Sequence, residues 1–502
     1  MGYREYAERR LPIIARTPRV LAGAAAVIGL AAWAFYLERD LVLAHYDAKA
    51  HLVVARRIVD SLTPGWRQIG AVWLPLPHLL QAVPTQVDLL YRTGAAGSLL
   101  SIACLATTVW AFARLVIAIT GSGAGAAVAA LLLAVNPNLL YLHVTPMTEP
   151  LLVAACALAV LCTFEWLDGG GDPGPVPRRL GIALAAAAWT RYEAWAVIAA
   201  LAAIVACGLA RSHPFPLAAR RGLGYLAWPL GAAALFLINS RVTIGAWLVS
   251  GGFYVPDPRY QGHLIEDAIG VWWGTHQLSG YVIETLALGT AGVLAWRGIR
   301  QRDRWPVLLP VALLAAAALP FYAMFEGHPY RIRYMVPIVA ACALLCGMAV
   351  GLARRPVSAA ALAGLILVSA IVESPPWDQQ APLLLEARWD EPASRQRRAV
   401  RDCLATGYGG EKVMASMGSL AHVMQELSHH GLVIADFIHE GNGAIWELAL
   451  ETGPAPHAGW MLAEEQSEGG DVLARRISGD PAFAAGMRRV CEGGGVGLYR
   501  RW

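Results

Sequence analysis

The chain has 502 residues, 57% of them hydrophobic and only 15% charged, with a mean hydropathy of +0.47. Such a composition excludes an ordinary soluble enzyme and indicates a polytopic membrane protein. Its 40 basic and 36 acidic residues leave a net charge of +4, too small to make nucleic acid a partner.

Stretches apolar enough to cross about 30 Å of hydrocarbon, about 20 residues of helix, run at 20–37, 94–118, 123–143, 150–167, 223–243, 277–296, 306–325, 334–352 and 357–373. The segment 180–210 is too long for one simple span and is interrupted by Thr190-Arg191-Tyr192-Glu193, so it reads as two helices, one of them short. The expected body is therefore a bundle of about eleven transmembrane helices. Arginines collect in alternate turns: Arg4, Arg9, Arg10, Arg16 and Arg19; Arg178 and Arg179; Arg211, Arg220 and Arg221; Arg297, Arg300, Arg302 and Arg304; Arg354 and Arg355. Cytoplasmic flanks retain positive charge, so these turns and the N-terminus are assigned to the inside of the cytoplasmic membrane, with the first span a retained helix. Loops 38–93, 144–149, 190–193, 244–276 and 326–333 then lie outside.

Seventeen of the 36 acids follow position 374, where long apolar runs cease. A membrane domain, 1–373, is expected to precede an extracytoplasmic domain, 374–502, entered through the stiff Ser374-Pro375-Pro376-Trp377. Val413–Ser416 and Leu432–Asp436 read as short strands, 419–429 and 443–451 as helices, which makes this tail a soluble α/β domain of unreadable strand order. Six of the eight cysteines fall in apolar spans; Cys403 and Cys491 are the pair that an oxidising compartment would allow to bond. There is no CxxC metal pattern, P-loop or well-placed GxGxxG.

Four polar features stand out among the outer loops. Asp47 and His51 are four residues apart at the start of an amphipathic segment read as a helix along the membrane surface, where Asp47 serves either as a base of tuned strength or only as a helix cap. In Thr145-Pro146-Met147-Thr148-Glu149-Pro150, Thr148 or Glu149 caps the helix that starts at Pro150, or Glu149 is a carboxylate at membrane depth in need of a partner. Arg191 pairs with Glu193 or with Glu149 as structural glue, or it orients or neutralises a charged substrate. Finally, His328, Arg331, Arg333 and Tyr334 run against the inner bias of positive charge, which fits an anion such as a lipid phosphate, with bulk headgroups as the plainer occupant. Trp73–His78 and Tyr254–Tyr260 read as rigid aromatic segments, either lining a sugar or lipid groove or anchoring at the interface.

The order of these elements, an inside N-terminus, a first-loop Asp on a juxtamembrane helix, an acid in the short second outer loop and a late Arg-Tyr element, resembles the GT-C superfamily of integral membrane glycosyltransferases. The branch it is similar to is that of the bacterial protein O-mannosyltransferases and aminoarabinose transferases. The resemblance covers about 1–373 and rests on order more than on any single motif. It implies that Asp47 is the catalytic base and Glu149 a supporting acid, with Arg331, Arg333 and Tyr334 in the region that holds the phosphate of a polyprenyl-linked donor. Ala48 and Lys49 follow Asp47 where relatives often carry a second acid, a departure that bears on acceptor type and metal requirement; His51 is the candidate for part of that role.

The implied reaction moves a sugar from a polyprenyl phosphate to a hydroxyl of a glycan, lipid or protein acceptor, with inversion, because one carboxylate suffices when the leaving group is already good. A metal-dependent, oligosaccharyltransferase-like version would use Asp47, Glu149 and His51 or His143 to hold Mg or Mn. The rivals from other classes are a transporter or flippase of lipid or sugar, and a scaffold whose tail docks a partner.

Overall fold

A computed structural model of the chain describes residues 12–168, 172–249, 254–466 and 470–502. Arg4, Arg9, Arg10 and the side chain of Arg302 lie outside what is described. The protein is an integral membrane protein built mainly of helices. Nine helices among the described residues are long and apolar enough to cross a membrane: α1 (Pro12–Leu37, apolar from Arg16), α3 (Ala95–Thr120), α5 (Glu149–Leu167), α7 (Glu193–Ser212), α8 (Phe215–Ile244), α9 (Tyr281–Arg300), α10 (Arg304–Phe325), α11 (Ile332–Leu352) and α12 (Pro356–Glu373), while the first outer loop contributes α2 (Tyr46–Arg56). Two further helices, α4 (Gly123–Val135) and α6 (Arg178–Ala188), are shorter, so the expected eleven is reached only by counting them.

Local chemistry explains the short ones. The single span read over 123–143 is broken at Asn136-Pro137: Asn136 leaves the helical region, and its Oδ1 accepts from the N–H groups of Asn138 and Leu139 to start a new turn, 137–142. The break expected within 180–210 falls at 189–192, between α6 and α7. α10 opens as 3-10 turns around Pro306 and Pro310, which lack the N–H that an α-helix needs. α4 and α11 approach through glycine, since a Cβ on Gly125 would sit 2.4 Å from the Gly347 carbonyl oxygen.

Three of the arginine-rich turns meet at one end of the bundle, where Arg221 pairs with Asp172, Arg211 Nη2 bonds to Ile299 O (2.9 Å) and Arg179 shares Glu165 with Arg114 of α3. The polar loops meet at the other: Leu76 N–H bonds to Trp189 O (3.0 Å), Tyr192 OH to Val72 O (3.4 Å), Trp66 Nε1 to Asn239 Oδ1 (2.6 Å) and Asp257 N–H to Gly327 O (2.8 Å).

On that end sits the tail, a mixed sheet in the order β2-β1-β3-β5-β4, with β1 (Val413–Ala415), β2 (Phe437–Ile438), β3 (Trp460–Glu464), β4 (Met487–Gly493) and β5 (Val496–Arg501). The helices expected at 419–429 and 443–451 are found at Met417–Leu427 and Ala444–Thr452. The strand expected at 432–436 is instead a 3-10 turn, Ile434–Asp436, because Asp60 of the first outer loop takes the N–H groups of Ile434 and Ala435 at 3.1 and 2.9 Å. Cys403 and Cys491 are bonded, joining helix Glu391–Gly407 to β4.

α2 departs from its reading as a surface helix. Residues on all of its sides, Ala48, Leu52, Val53 and Ala55 among them, are buried. The tail covers the face that water would otherwise wet: Leu52, Val53 and Tyr91 share one core with Met417, Leu420, Met424 and Phe437. Lys49, which interrupts the apolar pattern, is neutralised by Glu426, itself paired with Arg401 (2.6 Å). A second bond between tail and body is made by helix α13 (Pro382–Ala387), whose Leu383 and Leu384 join the apolar core of the membrane helices and whose Leu383 N–H bonds to Asn138 Oδ1 (3.1 Å).

Candidate functional site

α2 begins at Tyr46 because His45, in an extended conformation, caps it, with Nδ1 accepting from the backbone N–H of Asp47 at 3.0 Å. The capping role open to Asp47 is thus filled by its neighbour. Its carboxylate instead accepts a hydrogen bond from Arg333 Nη2 at 2.6 Å, across 286 positions of sequence. That carboxylate, before burial, raises the pKa of the adjacent Tyr46.

Arg333, in the first turn of α11, is buried and central. Its Nη1 donates to Glu386 of α13 at 3.0 Å and touches His45 Nε2 at 2.8 Å, and its Nε lies 3.6 Å from Glu149. A neutral imidazole has one lone-pair nitrogen, so His45 accepts from Asp47 N–H or from Arg333, not from both at once. Glu386 Oε2 also accepts the Ile332 N–H at 2.7 Å. Burial acts to raise the Glu386 carboxyl, but the neighbouring His45 (3.8 Å) and the charge of Arg333 prevail and bring it down to about 2.

Glu149 opens α5 and is fully buried. The loop before it reaches this depth because Gly97 has no side chain: a Cβ there would lie 2.7 Å from Pro146 Cα. Ser101 Oγ fixes the same loop through Thr145 O at 2.7 Å. The capping reading of Thr148 does not hold, since its side chain accepts no cap bond and instead receives Arg191 Nη1 at 2.9 Å. Arg191 stands between two acids, 3.1 Å from Glu149 and bonded to Glu193 at 2.8 and 3.0 Å. The contact with Glu149 is an ion pair without hydrogen-bond alignment, for neither Glu149 oxygen makes a hydrogen bond to the described residues. Tyr334 lies under both guanidinium groups, 5.4 Å from that of Arg333 and 5.7 Å from that of Arg191.

A chain of alternating charge therefore runs Asp47, Arg333, Glu149, Arg191, Glu193, with Tyr334 beneath it. Of the other residues singled out from sequence, His328 stands at the margin, its Nε2 3.4 Å from the Tyr334 hydroxyl and its ring 4.5 Å from Tyr254. Burial lowers its pKa, so at neutral pH it is an uncharged ring. Arg331 is half-buried, and among the described residues it has no carboxylate within ion-pair distance. His51 turns away from the chain: it bonds to His78 (3.1 Å), its ring tilted against Trp73 at 4.1 Å, with burial and then His78 lowering its pKa. Among the described residues no three His, Cys, Asp or Glu side chains gather as ligands for a metal ion.

Two members of the site were not anticipated. His45 sat in view, two positions before Asp47, where an extended residue ahead of a helix is expected to cap it. Glu386 gave no signal, being one acid in the apolar segment Pro382–Ala387 of a tail expected to stand apart.

Spans, covering loops and a tail sheet mounted on the polar end constitute a polytopic membrane protein of the GT-C fold. The crystal structure of ArnT from Cupriavidus metallidurans bound to undecaprenyl phosphate matches 94% of this chain and 97% of that one, with a TM-score of 0.54 and 13% identity, a likeness that establishes the fold. No family model matches the sequence, and no curated protein matches it.

Proposed function

We propose that the chain is an inverting glycosyltransferase that moves a sugar from a polyprenyl-phosphate donor to an acceptor hydroxyl at the outer face of the cytoplasmic membrane. The observation that carries this reading is the 2.6 Å contact between Asp47 and Arg333 at the end of the bundle where the outer loops meet. It places a proton acceptor beside a guanidinium able to receive a leaving phosphate. Support also comes from the fold shared with a protein solved with undecaprenyl phosphate. An apolar groove of about 310 Å³, lined by Leu131, Val135, Ile283, Val339, Leu367 and Ile371, suits an isoprenoid tail. Its first lining residue on α11, Val339, stands about 9 Å along the helix from Arg333, six residues at the helical rise. The Cys403–Cys491 bond and the arginine bias support the orientation.

In the proposed step the acceptor oxygen bonds to the anomeric carbon as the bond from that carbon to the phosphate oxygen breaks. The hydroxyl proton passes to Asp47, and the electron pair leaves with the phosphate, whose charge the guanidinium groups stabilise. A single displacement inverts the anomeric centre. Glu149 and Glu193 hold Arg191 and Arg333 in place, Tyr334 supports both from below, and His328 borders the donor side. No metal enters this scheme, since Arg333 already lies between Asp47 and Glu149. Incubation of the purified protein in lipid with a labelled polyprenyl-phosphate sugar should give transfer or slow hydrolysis, insensitive to a chelator. Neither product would reject the enzyme reading, and chelator-sensitive transfer would restore the divalent cation.

A further inference from the structure

Arg333 meets more carboxylates than its charge can neutralise. Asp47, Glu149, Glu193 and Glu386 face Arg191 and Arg333, four acids against two guanidinium groups. A donor phosphate would add further negative charge to this cluster, so its entry is unfavourable unless one acid withdraws. Three of the four are fixed. Asp47 and Glu193 lie in helices anchored within the fold, and Glu149 is fully buried at the start of α5.

Glu386 differs. It belongs to α13, a helix of only six residues against eleven to twenty in the helices that carry the other three; it follows the Pro375-Pro376 linker, enters from the tail and is seated on the body through Leu383 and Leu384. Its two oxygens are divided in a telling way, one on the Arg333 guanidinium (3.0 Å) and one on the Ile332 backbone N–H (2.7 Å). One guanidinium and one backbone N–H on adjacent oxygens is the donor pattern that phosphate takes as readily as carboxylate. Accepting the proposed function, we infer that Glu386 is an internal competitor, holding the place of the donor phosphate on Arg333 and Ile332 until the phosphate displaces it and α13 withdraws.

The test uses the full chain in lipid nanodiscs titrated with polyprenyl phosphate carrying no sugar, so that binding is read apart from turnover. Glu386→Gln keeps the shape and removes the charge; it should tighten binding about three- to tenfold, the scale of one ordinary hydrogen bond. Unchanged or weaker binding would overturn the inference. Hydrogen exchange on the unmutated protein gives a second reading: saturation with the lipid should speed exchange across 382–387, and slower exchange there would show α13 held in place. Binding that Arg333→Ala leaves untouched would reject the phosphate assignment itself, whereas binding that needs Arg333 but ignores Glu386 would reject only the competitor.

Discussion

At Asp47, two chemically reasonable roles compete, and the side chain two positions earlier takes one of them, the cap. With His45 occupying the cap, the carboxylate is free to face Arg333. Asp47→Asn keeps its volume and its capacity to accept from Arg333, so turnover should fall by about 10²–10⁴-fold, the usual worth of a positioned base. Donor binding should stay within a few-fold, and transfer assays paired with lipid titration will separate the two; undiminished turnover would remove Asp47 as the base. Arg331 and Arg333 differ in their surroundings, one without a carboxylate nearby and the other crowded by three. Alanine at either should weaken binding of polyprenyl phosphate by about 1–3 kcal/mol, measured by the same titration. Affinity unchanged from the unmutated protein in both variants would leave the phosphate without a seat.

Single helices are placed by small contacts far from the chemistry. The loop carrying Glu149 reaches its depth because α3 offers a glycine where it passes, and a methyl group there would collide with Pro146 at 2.5 Å. Gly97→Ala should therefore destabilise the protein by about 1–3 kcal/mol, as overpacking does, and lower turnover without altering any charged group. Thermal unfolding in detergent together with the transfer assay tests this; full activity at unchanged melting temperature would show that the loop position is not fixed there. α2 carries the same lesson, because apolar residues on a helix with Lys49 and Arg56 in its pattern look like one wet and one dry face until the tail is seen to cover the wet one.

For the molecule as a whole, tail and bundle act as one structure, with a core shared between α2 and the sheet domain and α13 seated among the spans. The pH response of the tail follows from Glu464 at the end of β3, whose carboxyl is pushed up to about 7 by burial and then by the neighbouring Asp471. An acid that keeps its proton in the folded state stabilises the fold below the unfolded value of 4.5, and that contribution is lost as pH rises through about 7. Glu386 works in the other direction and lower down: depressed to about 2, it contributes above 4.5 and loses that contribution as pH falls. Melting of the full chain should thus show Glu464→Gln gaining on the unmutated protein between pH 5 and pH 7.5. A parallel response of the two would mean that Glu464 does not titrate in that window.

The spans were legible in sequence because hydrocarbon thickness acts on local composition, and Cys403 and Cys491 because they are the two cysteines outside the apolar spans. The break at 189–192 was equally visible, as a polar cluster cannot sit in an apolar run without cause. Asp47, Glu149, Arg191, Glu193 and Arg333 could be nominated one loop at a time, each as a charge that hydrocarbon would not tolerate alone, and Tyr334 as the neighbour of Arg333. Which charge met which partner was decided by the tertiary structure. Pairing depends on how helices distant in sequence cross, on a glycine that admits a loop, and on a tail that folds back to lend Glu386, and none of these leaves a mark on local composition.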